Sequence, residues 1–442
     1  MIPSVQPCSR FPGPAFLLCL ALSLAPATAG AEPLELSVDE AVERALRSSL
    51  DVFGQGQTVA AALRSLENRW NLFLPGISAG ATARWSDVLF IEPLGGPAGA
   101  AADPISTSLS FATSLSVATG VLFDLEDRRL GYQSAVLAER EVRTRLVRDV
   151  EKAYFFLVSL ELDLANKARA IELAADRLRL AAYRFDTGLG SELDLLRARL
   201  SEQTARSTHE KAVADYRKRQ VAFKRLLGLE TSASLLLSTS LEFPAAVPEA
   251  GLASLVDGRT DLGKTRLAIT SAAVAVRRFV AAYRLPVIRL EASYNFSLSD
   301  LDTPTDRLVF SAGLSFNADS WIPNSRRDLE LKSLRETQVR LELKYEQDRR
   351  NAIEAVEALV LDLELAGNAL VLAEAQVRLA ERIYAGTTAA YERGLATALQ
   401  LETDNSAVDT ARQSLIASRY QYLTLLIDLG YELDTDWRSL FQ

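Results

Sequence analysis

Arg184-Phe185-Asp186-Thr187-Gly188-Leu189-Gly190-Ser191-Glu192-Leu193-Asp194 and Ala390-Tyr391-Glu392-Arg393-Gly394-Leu395-Ala396-Thr397-Ala398-Leu399-Gln400 read as two copies of one turn. In each, a glycine (Gly188, Gly394) is able to take the left-handed conformation that ends an incoming helix. Three residues on, Ser191 or Thr397 is placed to cap an outgoing helix. Asp194 or Gln400 follows at the spacing of a capping box. The chain is expected to form two antiparallel helical hairpins, with tips at 188–194 and 394–400.

The helices entering these turns carry a continuous seam. In the first copy it runs Leu146, Val150, Ala153, Leu157, Leu160, Leu164, Ala168, Ile171, Ala175, Leu178, Ala182. In the second it runs Ala352, Val356, Leu359, Leu363, Ala366, Leu370, Ala373, Val377, Ala380, Tyr384. Alternating steps of four and three are the signature of a left-handed coiled coil. From about Glu126 to Thr187 such a helix extends roughly 90 Å at 1.5 Å per residue, too long for a compact globular domain and suited to a span across the periplasm.

Two more landmarks repeat in the same order. A helix ends at Leu74-Pro75-Gly76-Ile77 and at Leu285-Pro286-Val287-Ile288, and each half closes on Leu-Gly, at Leu227-Gly228 and Leu429-Gly430. The ordered set marks an internal duplication: repeat 1 over 30–230, a Pro-bearing linker over 231–257, repeat 2 over 258–433 and a tail over 434–442. Ser37-Val38-Asp39-Glu40 is a capping box opening a helix that reads as continuous to about Trp70.

After each proline the hydrophobic period becomes two. Ile288, Leu290, Ala292, Tyr294, Phe296 and Leu298 alternate with Arg289, Glu291, Ser293, Asn295 and Ser297, and similar runs occupy about 77–86, 107–118 and 308–317. Each run approaches the length a tilted strand needs to cross a bilayer. Alternation alone is equally that of a half-buried soluble sheet; the export signal and the small, polar opposite face favour a barrel with a wet interior. Four strands cannot close a barrel and eight would fill it with side chains, so a lumen implies several copies, most simply three with twelve strands.

Residues 1–29 read as a secretory leader: Arg10, an apolar run from Pro14 to Ala25, and Ala27-Thr28-Ala29 as the small-residue cleavage pattern. Both cysteines, Cys8 and Cys19, lie inside it, so the remainder has no thiol for disulfides, soft-metal sites or nucleophilic catalysis. Past the leader, which carries only Arg10, the net charge is about −9, which argues against nucleic acid. No later stretch reaches the length and hydrophobicity of a transmembrane helix. Gly258-Arg259-Thr260-Asp261-Leu262-Gly263-Lys264-Thr265 satisfies the spacing of a phosphate loop. That loop needs a buried strand before it, and here a proline-bearing linker precedes; Asp261 would also put negative charge in the cradle. His209 sits in a polar helical stretch and reads as a surface residue. No nucleophile and base stand together, so neither an enzyme nor a cofactor is expected.

With Leu36-Ser37-Val38-Asp39-Glu40-Ala41-Val42-Glu43-Arg44-Ala45-Leu46, the Leu-Pro helix ends and the duplicated turn in place, the chain resembles the TolC-like outer-membrane efflux proteins over about residues 34–433. That resemblance implies a homotrimer with a twelve-stranded barrel in outer-membrane lipid and a coiled-coil tunnel in the periplasm. It implies docking of the tips (Gly188, Leu189, Gly190, Ser191, Asp194; Gly394, Leu395, Ala396, Thr397, Gln400) onto a periplasmic adaptor, or membrane fusion protein, that leads to an inner-membrane pump of an efflux or type I secretion system. In some members, second-repeat aspartates narrow the entrance; here Gln400 and Thr403 occupy that stretch with Asp404 one place on, so the candidate lining is Gln400, Thr403 and Asp404. The rival reading is a soluble periplasmic coiled-coil adaptor or scaffold, which explains the hairpins but not four symmetrically placed amphipathic strands.

Overall fold

The computed structural model describes residues 34–85, 105–117, 120–241, 256–297, 305–315 and 321–441. The leader, both strand-to-strand connections (86–104 and 298–304) and part of the linker lie outside them. In chain order the elements are β1 (Leu34–Leu36), α1 (Val38–Ser48), α2 (Leu50–Glu67), β2 (Gly76–Trp85), β3 (Ile105–Val117), α3 (Val121–Asp186), α4 (Glu192–Leu226), β4 (Leu235–Leu237), α5 (Thr260–Arg284), β5 (Val287–Ser297), β6 (Thr305–Ser315), α6 (Arg326–Glu392) and α7 (Ala398–Glu432).

The expected capping box at Ser37 is formed: its Oγ accepts from the Glu40 N–H, and Glu40 accepts from the Ser37 N–H at 2.9 Å. The helix it opens is not continuous. Ser49 takes an extended conformation and its side chain caps α2 by accepting from the Val52 N–H. Serine is a weak helix former that readily bonds local backbone, which makes it a natural site for this break. A short 3-10 stretch, Asn68–Phe73, then carries the chain into β2.

α3 and α6, of 66 and 67 residues, extend about 100 Å each. α4 and α7 return along them with 35 residues apiece. Toward the tips the helices lie in the order α4, α3, α7, α6; toward the strands the order is α2, α3, α5, α6. α2 thus takes up the place of α4, and α5 that of α7, halfway along the molecule. The duplication is tighter than its Leu-Gly landmarks suggest. α4 ends at Gly228 (φ +66°), but the matching end of α7 is Asp434 (φ +53°), and Gly430 lies inside α7. Both ends make the same pair of terminal bonds: Gly228 to Arg225 and Leu229 to Lys224, Asp434 to Tyr431 and Thr435 to Gly430. Aspartate is one of the few residues other than glycine that enters the left-handed region readily.

The core sits at this midpoint. Tyr154, fully buried, donates its hydroxyl to the Leu36 carbonyl at 2.8 Å and accepts from the Thr239 N–H at 3.0 Å. It thereby ties α3 to a parallel pair of short strands, β1 and β4, in which Leu34 to Leu36 align with Leu235 to Leu237. The segment read as linker is therefore partly a strand. The seam of α6 is buried at Ala352, Val356, Leu363, Ala366, Leu370 and Ala373. Along α3 the buried set widens beyond the seam to Tyr154, Phe155 and Val158, because α3 packs on α1, α4 and α7. The tail also folds: Trp437–Phe441 forms a 3-10 turn, with Trp437 buried against Gly430.

Candidate conduit surfaces and hairpin tips

Two parts of the molecule are candidate functional surfaces, the sheet and the tips. The sheet has the order β2-β3-β5-β6, all antiparallel. Its register places Ser78, Gly80, Thr82 and Arg84 of β2 on the same face as Ser108, Ser110 and Ser114 of β3, Arg289, Glu291, Ser293 and Asn295 of β5, and Arg307, Ser311 and Ser315 of β6. The opposite face carries Ile77, Ala79, Ala81 and Trp85, then Leu109, Phe111 and Leu115, then Ile288, Leu290, Tyr294 and Phe296, then Leu308, Phe310 and Leu314. Ala112 and Val309 on the polar face and Thr107, Thr113 and Asp306 on the apolar one are exceptions. The apolar face is uncovered: Ile77 is 83% exposed, Phe310 76% and Leu314 73%. A soluble sheet would have to bury such a face on a second layer; among the described residues nothing is packed there.

The edge strands β2 and β6 each leave a row of backbone groups unpaired within the chain. β2 runs away from the helices and β6 runs back, so the two edges are antiparallel and able to pair between copies. Hydrocarbon tolerates a sheet only when its edges are closed in this way.

At the tips the expected glycines do what their position requires. Gly188 and Gly394 have φ +72° and +75°. Each turn is a Schellman motif: Leu189 and Leu395 donate N–H groups to the Arg184 and Ala390 carbonyls at 2.8 and 2.9 Å, and Gly188 and Gly394 to Phe185 and Tyr391 at 3.0 Å. A β-carbon at either glycine meets no neighbour, so Gly188→Ala or Gly394→Ala is expected to cost about 1–2 kcal/mol through backbone strain alone. Amide exchange should quicken at the tip and stay unchanged at the Tyr154 core; unchanged exchange at both tips would show that the left-handed turns carry no strain in the variants.

The two tips differ in their caps. Thr397 and Gln400 complete a capping box, with Gln400 accepting from the Thr397 N–H at 2.9 Å. Ser191 and Asp194 do not. Ser191 accepts from the Leu193 N–H at 3.2 Å, and Asp194, one methylene shorter than glutamate, instead lies 3.9 Å from Arg197. Leu189 and Leu395 stand 82% and 79% exposed at the two apices. Of the candidate lining residues, Gln400 is occupied in its cap. Thr403 is exposed and bonds back to Leu399, and Asp404 accepts from Thr387 at 2.5 Å between α6 and α7.

Sequence reasoning missed the links between hairpins. Arg184 of α3 lies over the Tyr391 ring of α6, 4.6 Å from its centroid. One heptad back on both helices, Arg177 donates to the Tyr384 hydroxyl at 2.9 Å and covers that ring at 5.7 Å. The equal step on the two helices was the available signal. The phosphate-loop pattern is accounted for differently: a 3-10 turn, Val256–Gly258, leads into α5, Arg259 bonds Asp261, and Lys264 pairs with Glu141 at 2.5 Å. His209 is half-exposed on α4.

The family described as outer membrane efflux protein matches residues 41–229 and 253–430, one segment per repeat. None of the curated proteins compared with the chain matches it. Among solved structures, the chain is similar to CusC, from a study of conformational changes accompanying folding and transmembrane channel formation. The TM-score is 0.77 at 18% identity, over 90% of this chain and 92% of that one. The outer membrane protein VceC from Vibrio cholerae gives 0.72 at 16% identity, over 90% and 96%. The open-state MtrE outer membrane channel of Neisseria gonorrhoeae gives 0.73 at 18% identity, over 90% and 89%. At these identities the structures establish a shared fold, while the family match covers most of the sequence and both of its repeats. The chain belongs to the outer membrane efflux protein family.

Proposed function

We propose that three copies of the chain close into a twelve-stranded barrel in the outer membrane and continue as a helical tunnel whose hairpin tips form a periplasmic entrance. The observation that carries this reading is the strand register, which sorts every strand into one wet and one apolar flank. Twelve strands give a lumen that eight do not, and pairing of β6 with β2 of the next copy removes the open edges. The conduit is passive: an energised inner-membrane pump delivers cargo through a periplasmic adaptor. The exposed apices around Leu189 and Leu395 supply the apolar contact for that adaptor. No step of this function calls on catalysis by the chain.

The test is conductance in planar lipid bilayers together with thiol labelling of single-cysteine variants. Ser110→Cys and Ser293→Cys should react with a water-soluble reagent from inside a conducting pore, and Leu109→Cys and Phe310→Cys should be shielded by lipid. Equal labelling of both flanks, or bilayers left silent by tip-loosened protein, would overturn the reading.

A further inference from the structure

The four strands of the sheet carry five charged residues, Arg84, Arg289, Glu291, Asp306 and Arg307. The register puts all but Asp306 on the wet flank, three arginines against one carboxylate, in a chain whose net charge is −8. Arg307 stands on the rung formed by Gly80, Ser110, Asn295 and itself, and its three companions are uncharged. The small hydroxyls near it are spent locally. Ser110 donates to the Gly80 carbonyl at 3.3 Å, and Thr82 and Ser108 share a bond of 3.0 Å.

Among the described residues no carboxylate forms an ion pair with Arg307. Asp306 lies on the opposite flank, where it accepts from the Tyr294 hydroxyl at 3.5 Å. Glu291 is opposite Ser311, four residues along β6 from Arg307, and so about 13 Å away at about 3.3 Å per residue. It stands instead on the same flank as Arg289, two residues before it, and offsets that charge. β2, the strand that meets β6 when copies pair edge to edge, contains no acid between Gly76 and Trp85. No register of that pairing can therefore supply Arg307 with a partner. Arg84, further out on β2, has contacts of its own.

Resting on the reading that the wet flank lines the lumen of a three-copy barrel, we propose that Arg307, one from each copy, forms a basic ring that favours anionic solutes over cations. Arg307 is then a selectivity-determining residue, and anions are the class of cargo that the barrel admits best. Twelve strands about 4.8 Å apart and tilted about 40° give a backbone radius of about 12 Å. An arginine reaching inward from that wall brings its charge within about one screening length of the axis, about 10 Å at 0.1 M salt. The hydrocarbon outside is a low-dielectric wall that focuses the field into the lumen. Rings of arginine select anions in pores by this means. A guanidinium also stays protonated across the physiological range, so the ring keeps its charge whatever the pH outside. The ring needs only Arg307 from each copy.

The experiment compares the rates at which Ser110→Cys, on the Arg307 rung, reacts with an anionic and a cationic methanethiosulfonate. It uses the full-length protein in lipid vesicles. Beyond Cys19 the chain has no cysteine, so past the leader the new thiol reports alone. The reagents enter from the outer mouth, and closed tips do not interfere. Relative to a free thiol in solution, the anionic reagent should gain about sevenfold over the cationic one, as a potential of about one kT acting on both charges gives. The gain should fall to about twofold or less in Arg307→Gln, invert in Arg307→Glu, persist in Arg307→Lys and shrink as salt rises. In a KCl gradient across planar bilayers, Arg307→Gln should likewise lower chloride permeability relative to potassium. Equal rates for the two reagents in Ser110→Cys alone would overturn the ring. So would an inverted ratio, as acids of the connections 86–104 and 298–304 would produce, or a labelling ratio and chloride preference untouched by Arg307→Gln. Failure of the barrel reading shows separately, as Leu109→Cys reacting with a neutral water-soluble reagent as fast as Ser110→Cys.

Discussion

Truncating Trp437 to alanine is expected to destabilise the midpoint of the molecule by about 3–5 kcal/mol, the range for removing a large aromatic from a packed site. Trp437 is 5% exposed and fills the notch left by Gly430, where a β-carbon would stand 2.8 Å from its own. Its indole N–H donates to Glu151 at 3.2 Å, and Glu151 is itself only 6% exposed. Arg438 lies 3.8 Å from the other carboxylate oxygen and bonds Asp39 of α1 at 3.0 Å. The tail thus fastens α7 to α1 and α3 around one buried acid. Thermal unfolding of the variant measures the effect; a melting temperature unchanged from the natural protein would mean the tail packs without holding anything.

The same acid gives the clasp a pH dependence of definite sign. Burial pushes the Glu151 carboxyl up to about 7, against the opposing pull of Arg438 and the Trp437 hydrogen bond, with Asp436 and Asp39 adding to the rise. Arg140, Arg143 and Arg148 of α3, Tyr431 of α7 and Asp434 beyond its end line the same cavity of about 390 Å³. A carboxyl whose folded pKa lies above its unfolded value of 4.5 binds its proton more tightly in the folded state. Its contribution is complete below about pH 4.5 and is lost as pH rises through about 7. The difference amounts to at most about 3 kcal/mol. Unfolding followed from pH 5 to pH 8 should show stability falling, and Glu151→Gln should flatten that slope. A slope of the same size in the variant would assign it to other groups.

Much of this architecture was legible in sequence because it rests on short-range rules repeated along the chain. The seam at Ala352, Val356 and Leu363 needs only a helical period, and the strand flanks only a period of two. Ser37 with Glu40 and Thr397 with Gln400 needed only a capping rule. What escaped depends on distant partners. β1 and β4 are three-residue strands joined across about two hundred residues, and nothing in Leu235-Leu236-Leu237 announces Leu34 as its partner. Ser49 breaks a helix that carries neither glycine nor proline at that point because α4 ends there, with Gly228 against Ser48. Gly430 reads as the closing landmark of repeat 2 because Leu429-Gly430 repeats Leu227-Gly228. The chain uses Asp434 there, whose carboxylate also accepts from Thr260 at 2.7 Å and pairs with Arg140 at 3.0 Å, and it spends Gly430 on making room for Trp437. At the first tip the capping rule failed by one methylene at Asp194. The Arg–Tyr pairs lay in plain view as residues, but no local rule connects α3 to α6.

Those pairs set the second large effect. Removing both guanidiniums, in Arg177→Ala with Arg184→Ala, is expected to loosen the two hairpins of one copy from each other at the entrance. The Arg177 bond to the Tyr384 hydroxyl is charge-assisted and contributes about 1.5–3 kcal/mol. The stacking of Arg184 on Tyr391 adds about 0.5–2 kcal/mol, according to how far the site excludes water. Both contacts join the hairpins a few residues above the tips, so an entrance that opens by parting the tips must break them first. Together they should hold the closed arrangement by about 3 kcal/mol, which corresponds to roughly a hundredfold change in the ratio of open to closed entrances. Single-channel recording would see this as a rise in open occupancy and in unitary current. Arg177→Lys with Arg184→Lys should recover part of the closure, since an ammonium keeps the charge over the ring and loses the planar stacking. If the alanine variant conducts no more than the natural protein while its helices melt at an unchanged temperature, the pairs hold the hairpins together without controlling the entrance. The entrance would then have to be controlled by contacts between copies.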